Sequence, residues 1–241
     1  MQYYPIKELA LRNVLITGAG KGLGRELARA FFDQGWQLFL VVRNEASQTE
    51  LAEEFTTANI LLSDVAKPDH ELKLSAWLGD ATLDVVINNA GAGSKGATLG
   101  EASAEQITSA FETNCIGVFA TVKGAHKALL KSPSGMVVNI SSRRGSLTMQ
   151  ANGAAKNSGC SYSYRISKAA QNMLTLCLAD DLEDDGIRVA AIHPGRLLTD
   201  MASKDAHMTA QKSAQLISQL IINNKIKNKD YLCMETGTLA W

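Results

Sequence analysis

The chain has 241 residues, 46% hydrophobic and 20% charged, the balance of an ordinary globular protein and not of a disordered, fibrous or membrane-embedded one. Its 24 Lys and Arg offset 24 Asp and Glu, so no global field exists to hold nucleic acid or an anionic membrane. Cys115, Cys160, Cys177 and Cys233 form no CxxC pair and have no histidine at metal-ligand spacing, so they read as reduced thiols of a cytoplasmic protein without a metal.

In chain order, short runs rich in Val, Ile and Leu alternate with longer stretches of helical period. The strands expected are 13–17, 37–42, 59–62, 83–88, 136–140, 187–193 and 231–234. The helices expected lie near 23–34, 47–55, 69–78, 103–131, 163–184 and 209–223. No linker or repeat interrupts the alternation, and no apolar run is long enough to cross a bilayer. The pattern implies one α/β domain over 1–241, a Rossmann-type doubly wound fold with a seven-stranded, mainly parallel sheet flanked by helices. Residues 145–159 mix Gly, Asn, Ser and Ala with little periodicity, the composition of a functional loop or lid.

After the first strand comes Thr17-Gly18-Ala19-Gly20-Lys21-Gly22-Leu23-Gly24, followed by a good helix. Glycines let a backbone turn tightly and approach a pyrophosphate, and the helix start offers N–H groups to its charge. A bare strand-to-helix turn is the alternative, but the context is that of a dinucleotide site. An acidic residue at the end of the second strand would select NAD; the chain has Arg43 there. Arg43 and Lys21 could both face a 2′-phosphate, which points to NADP(H), with NAD(H) less favoured.

Further on, Tyr164 and Lys168 stand four residues apart on one expected helix, hence on one face. An ammonium beside a phenol, joined by the charge of an oxidised nicotinamide, would lower the tyrosine pKa toward neutrality and fit it for general acid-base work. Ser142 closes the fifth strand at the carboxyl edge, where a hydroxyl can hold a substrate oxygen. Asn114 and Gly117 interrupt an otherwise helical stretch, a local cost that a functional role would explain, as would a simple kink.

Taken together, Thr17 to Gly24, Asn88-Asn89-Ala90-Gly91, Asn114, Ser142, Tyr164, Lys168 and Pro194-Gly195 resemble the short-chain dehydrogenase/reductase family over nearly the whole chain. Residues 159–165, 193–201 and Trp241 are similar to its branch of C-factor-like carbonyl reductases. The resemblance implies that Ser142 positions the substrate oxygen, Tyr164 transfers the proton, Lys168 binds the nicotinamide ribose, and Asn114 holds a relay water. It also implies that Asn88, Ala90 and Gly91 pass the ribose, that Asp64 and Val65 touch the adenine, and that Pro194, Gly195, Leu197 and Thr199 border the nicotinamide. A small carbonyl or alcohol substrate and a homodimer or homotetramer packed through 103–131 and 163–184 follow from the same resemblance.

The 22 positions from Ser142 to Tyr164 exceed the family's usual spacing, so 145–159 read as an insertion beside the active site. The opposite wall is expected after Thr199. His193 reads as a structural strand-end histidine. Two other functions compete: an epimerase or dehydratase without net redox change, and a nucleotide-binding regulatory protein without turnover. The short chain after Thr199 counts against the first, and the intact Ser142, Tyr164 and Lys168 count against the second.

Overall fold

A computed structural model describes residues 11–198 and 206–241. From the N-terminal side run β1 (Asn13–Thr17), α1 (Gly22–Phe32), β2 (Gln37–Val42), α2 (Glu45–Glu54), β3 (Asn59–Leu62), α3 (His70–Leu78) and β4 (Val85–Asn88). Then come α4 (Ala104–Phe111), a π-helical turn (Glu112–Ile116), α5 (Gly117–Leu129), β5 (Met136–Ile140), a short 3₁₀ turn (Arg143–Gly145) and α6 (Leu147–Ala151). The chain continues through α7 (Tyr162–Asp181), β6 (Arg188–His193), α8 (Ala210–Ile222), β7 (Tyr231–Cys233) and β8 (Gly237–Thr238).

The sheet order is β3-β2-β1-β4-β5-β6-β7-β8. The first seven strands are parallel and form the expected doubly wound sheet; β8, two residues long and antiparallel, adds an edge strand that the sequence did not announce. Both faces are covered, which is why the strands read as unbroken apolar runs instead of alternating ones. In β1, Val14 and Ile16 join the core under α1 and α8 with Leu27, Phe31 and Ile217. Leu15 turns to the other face and packs with Leu74, Val122 and Leu129.

Strand order reverses between β1 and β4, which pair directly, so their carboxyl ends open the crevice where such sheets bind ligands. Two expectations need correction. The long helix expected over 103–131 is two α-helices joined by the π-helical turn that contains Asn114. Residues 145–159 are not wholly irregular, because Ser146 accepts the Met149 N–H and caps α6. Residues 145–159 are also tied down: the Thr148 N–H and hydroxyl donate to the Trp241 carbonyl at 3.1 and 2.7 Å. Ser146 Oγ donates to the Ala240 carbonyl at 2.6 Å.

Candidate active site

The glycine loop is fastened from behind. Thr17 is buried, and its Oγ1 accepts from the Asn89 and Ala90 N–H groups at 3.1 Å each. Asn89 Nδ2 donates to the carbonyls of Thr17 and Gly18 at 3.0 and 3.1 Å. Gly18 has φ +66°, and a Cβ there would sit 2.9 Å from Ala90 Cα, so the position needs glycine twice over. Gly24 is confined differently: a Cβ would lie 2.5 Å from Asn89 Nδ2 and closer still to the Gly18 carbonyl oxygen. Gly20 faces Ser47, Leu23 is buried in the core, and Gly22 (φ +55°) has open space beside it.

The start of α1 has no side-chain cap at Lys21 and no acidic residue in its first turn. By contrast Asn44, Ser103, Ser161 and Thr209 each cap their helices with a side-chain oxygen. The first-turn amides of α1 therefore face a position suited to an anion, and the residues present fit a pyrophosphate.

At the end of β2, Arg43 is exposed on the rim of a cleft of about 480 Å³ that Leu62, Asp64 and Lys67 also line. That volume suits a nucleoside end of a cofactor. Lys21 is exposed on the neighbouring loop. Asp64 accepts the Ala66 N–H at 3.0 Å. Val65 is only 7% exposed and packs on Gly117, where a Cβ would be 2.9 Å from its carbonyl oxygen, so it does not line the cleft.

The Asn88 side chain does not face the cleft. It is buried and donates to Asn139 Oδ1 at 2.8 Å, and Asn139 donates in turn to Thr175 Oγ1 at 2.9 Å. This polar ladder ties β4, β5 and α7 together under the site. Beyond it the chain leaves β4 through Ala90 and Gly91. A Cβ on Gly91 would come within 3.4 Å of Asn114 Oδ1 and 4.0 Å of Lys168 Nζ, so glycine keeps the crevice open there.

The π-helical turn gives Asn114 its place. Fully buried, it accepts from Ala92 N and donates to Ala92 O, both at 2.8 Å, and donates to Ser167 Oγ at 2.9 Å. Single π turns are rare and cluster at functional positions. This one locks the loop after β4 to α7.

Ser142, 5% exposed, follows β5; its Oγ accepts from Arg144 N at 3.2 Å, and its carbonyl accepts from the Tyr231 hydroxyl at 2.5 Å. Tyr231 is stacked on Trp241 with ring centroids 4.8 Å apart. Tyr164, in the first turn of α7, meets the Ser142 side chain. Lys168 is buried with Nζ 5.9 Å from the Tyr164 ring centroid, and donates to Ile140 O at 2.7 Å and Gln171 Oε1 at 2.9 Å. Ser142, Tyr164, Lys168 and Asn114 thus converge at the carboxyl edge as expected.

Burial pushes the Tyr164 phenol up to about 12, opposed by the Ser142 hydrogen bond, and burial pulls the Lys168 ammonium down to about 7. The chain alone does not lower the tyrosine toward neutrality, because loss of solvation outweighs a lysine held 5.9 Å from the ring.

Gly195 has φ +95° and turns the chain after β6, Ser213 Oγ donates to the Pro194 carbonyl at 2.6 Å, and Leu197 bridges to Met208. Thr199 lies outside the described residues. Sequence reasoning gave no individual role to Asn89, Asn139, Gln171 or Tyr231. Asn139 had a signal, a lone amide inside an apolar strand, and Gln171 lies one turn beyond Lys168. The role of Tyr231 depends on tertiary contact alone.

A doubly wound sheet with an uncapped glycine-loop helix and a Ser, Tyr, Lys and Asn cluster at its switch point defines a dinucleotide-dependent class of protein. The profile of the short chain dehydrogenases matches residues 12–210, and the chain belongs to that family of oxidoreductases. A short-chain type dehydrogenase/reductase of Picea abies is 31% identical over 207 residues, 79% of this chain and 72% of that one. Two solved structures superpose with TM-scores of 0.84: the carbonyl reductase Sniffer of D. melanogaster and an NADPH-bound carbonyl reductase from chicken fatty liver. The first is 27% identical and covers 96% of this chain and 100% of its own; the second is 25% identical and covers 96% and 99%.

Proposed function

We propose that the chain is an NADP(H)-dependent reductase of small ketones or aldehydes. The observation that carries this reading is the convergence of Ser142, Tyr164, Lys168 and Asn114 beside the crevice that Gly91 keeps open. When bound, a nicotinamide supplies or accepts a hydride at the substrate carbon. The Ser142 hydroxyl holds the substrate oxygen, and Tyr164 gives it a proton. The phenol is protonated at physiological pH and can give its proton to that oxygen, and the same residues serve the oxidation in reverse. Lys168, anchored by Ile140 and Gln171, presents its ammonium to a cofactor ribose and to the phenolate left after transfer. Asn114 fixes the wall through which a relay water reaches Lys168.

The preference for NADP(H) is supported by Arg43 at the end of β2, by Lys67 across the same cleft, and by the NADPH-bound chicken carbonyl reductase of the same fold. The four cysteines are all free of disulfides, which suits a reducing cytoplasm. No helix among the described residues is long and apolar enough to cross a membrane. Exposed Phe111, Ile116 and Phe119 around α4 and α5, with Ile166 and Met173 on α7, offer the apolar face for a homodimer or tetramer.

The test is a fluorescence titration with NADPH and NADH, together with turnover on a panel of carbonyl compounds by the native protein and Tyr164→Phe. Selective NADPH binding, turnover by the native protein and its loss in the variant with NADPH affinity retained are expected. Binding without turnover on any carbonyl, or substantial activity in the variant, would overturn the assignment of Tyr164.

A further inference from the structure

β6 and β7 are parallel neighbours, and their register sets His193 opposite Cys233. Paired residues project to one face of a sheet. Glu235 lies in the turn after β7, and its N–H donates to Cys233 Sγ at 3.4 Å. One donor atom from each of His193, Cys233 and Glu235 lies within 4.8 Å of the others, with His193 Nε2 and Glu235 Oε2 at 3.9 Å.

His193 gives this cluster its meaning: Asn88, Gln171 and Asn172 each leave one buried atom unpartnered, whereas His193 leaves both ring nitrogens so. It is 6% exposed, yet neither ring nitrogen has a hydrogen-bond partner. His70, equally buried, satisfies both of its nitrogens, on Ser63 Oγ at 2.9 Å and Thr121 Oγ1 at 3.0 Å. Buried polar groups left without partners are rare because each forfeits its hydration for nothing. The Glu235 carboxylate is oriented as well: Arg196 Nε and His207 Nε2 hold Oε1 at 3.1 and 2.8 Å, leaving Oε2 toward His193. Ordering of a ligating carboxylate by outer donors is what metal sites require.

We propose that His193, Cys233 and Glu235 bind one divalent transition-metal ion of the zinc class, with the fourth position next to His207. Nitrogen, thiolate and carboxylate together match zinc and cobalt, and a thiolate disfavours calcium and magnesium. Bonds of about 2.0–2.3 Å place tetrahedral donors roughly 3.3–3.8 Å apart, so the His193–Glu235 spacing of 3.9 Å closes by a few tenths of an ångström and the widest, 4.8 Å, by about 1 Å. The ion ties the end of β6, where the Pro194–Gly195 turn begins, to the β7–β8 edge. Its three ligands are distinct from Ser142, Tyr164 and Lys168, and the site does not depend on what the enzyme reduces.

The experiment is a titration of the full chain, stripped by chelator in a non-thiol reductant, with Co²⁺ alone, followed by Zn²⁺ competition and melting curves. One Co²⁺ per chain is expected, with tetrahedral visible bands and a thiolate-to-cobalt band that Zn²⁺ abolishes. Cys233→Ser should lose the thiolate band, and His193→Gln and Glu235→Gln should each weaken binding tenfold or more. Zn²⁺ should raise the Tm of the native chain and leave that of Cys233→Ser unmoved. No thiolate band in the native chain, or a band that persists in Cys233→Ser because Cys115, Cys160 or Cys177 supplies it, overturns the proposal. The native titration decides the matter even if a variant fails to fold.

Discussion

Replacing Gly24 by alanine should destabilise the protein, although helix propensity alone says the opposite. Gly24 lies in the first turn of α1, where alanine ordinarily favours the helix by about 1 kcal/mol. Here the added Cβ meets the Gly18 carbonyl and Asn89 Nδ2, neither of which is the free end of a flexible side chain. The helix must withdraw from the loop by roughly 1 Å to restore ordinary contact. That breaks the bonds from Asn89 to Thr17 and Gly18, at about 0.5–1.5 kcal/mol each. It also displaces Leu27 and Phe31, both fully buried, at an overpacking cost of about 1–3 kcal/mol. The net loss is about 3 kcal/mol, or a Tm lower by roughly 6–12 °C for a chain of this size. Calorimetry measures it, with an NADPH titration alongside, where affinity should fall tenfold or more. Gly22→Ala is the control: its neighbourhood is open, so only the strain of φ +55° acts, about 1 kcal/mol. A Gly24→Ala protein as stable as the native one, or no worse than Gly22→Ala, would refute the reasoning.

Two further outcomes follow from charge. Arg43→Asp should weaken NADPH by about tenfold to a hundredfold, the value of a charge-assisted hydrogen bond, and change NADH little; equal loss of both cofactors in the titration would show that Arg43 does not read the phosphate. Lys168 sets a pH dependence of stability. Burial lowers its folded pKa to about 7 from an ordinary 10.5, so between these values the unfolded chain binds more protons. The cost of the buried charge is therefore complete below about pH 7 and fades as pH rises toward 10. Urea midpoints should climb from pH 7 to pH 9.5 in the native protein and flatten in Lys168→Met; parallel profiles would remove Lys168 as the cause.

Strands β1, β2, β3 and β5 were legible to the residue, because apolar runs of four to six residues between turn signals leave little freedom. The glycine loop and the order Ser142, Tyr164, Lys168 were equally plain, since the backbone demands of a phosphate turn and the one-turn spacing of two side chains are local. Three features were not local and stayed hidden. The π-helical turn at Asn114 follows from its bonds to Ala92 and Ser167, which lie 22 and 53 residues away. The docking of Ser146 and Thr148 onto Ala240 and Trp241 joins segments more than 90 residues apart. His193 and Cys233 are 40 positions apart in the chain, so no motif of spacing unites them.

By itself the sequence determined the class of fold, the glycine-rich turn after β1 and the one-turn spacing of Tyr164 and Lys168, because each depends on residues close enough to constrain one another through the backbone. Tertiary structure decided which side chains are cut off from water. Burial set the opposite displacements of Tyr164 and Lys168, turned Asn88 inward to Asn139, and left His193 without a partner beside Cys233 and Glu235. Solvation is a property of everything packed around a group, and most of that packing comes from distant parts of the chain.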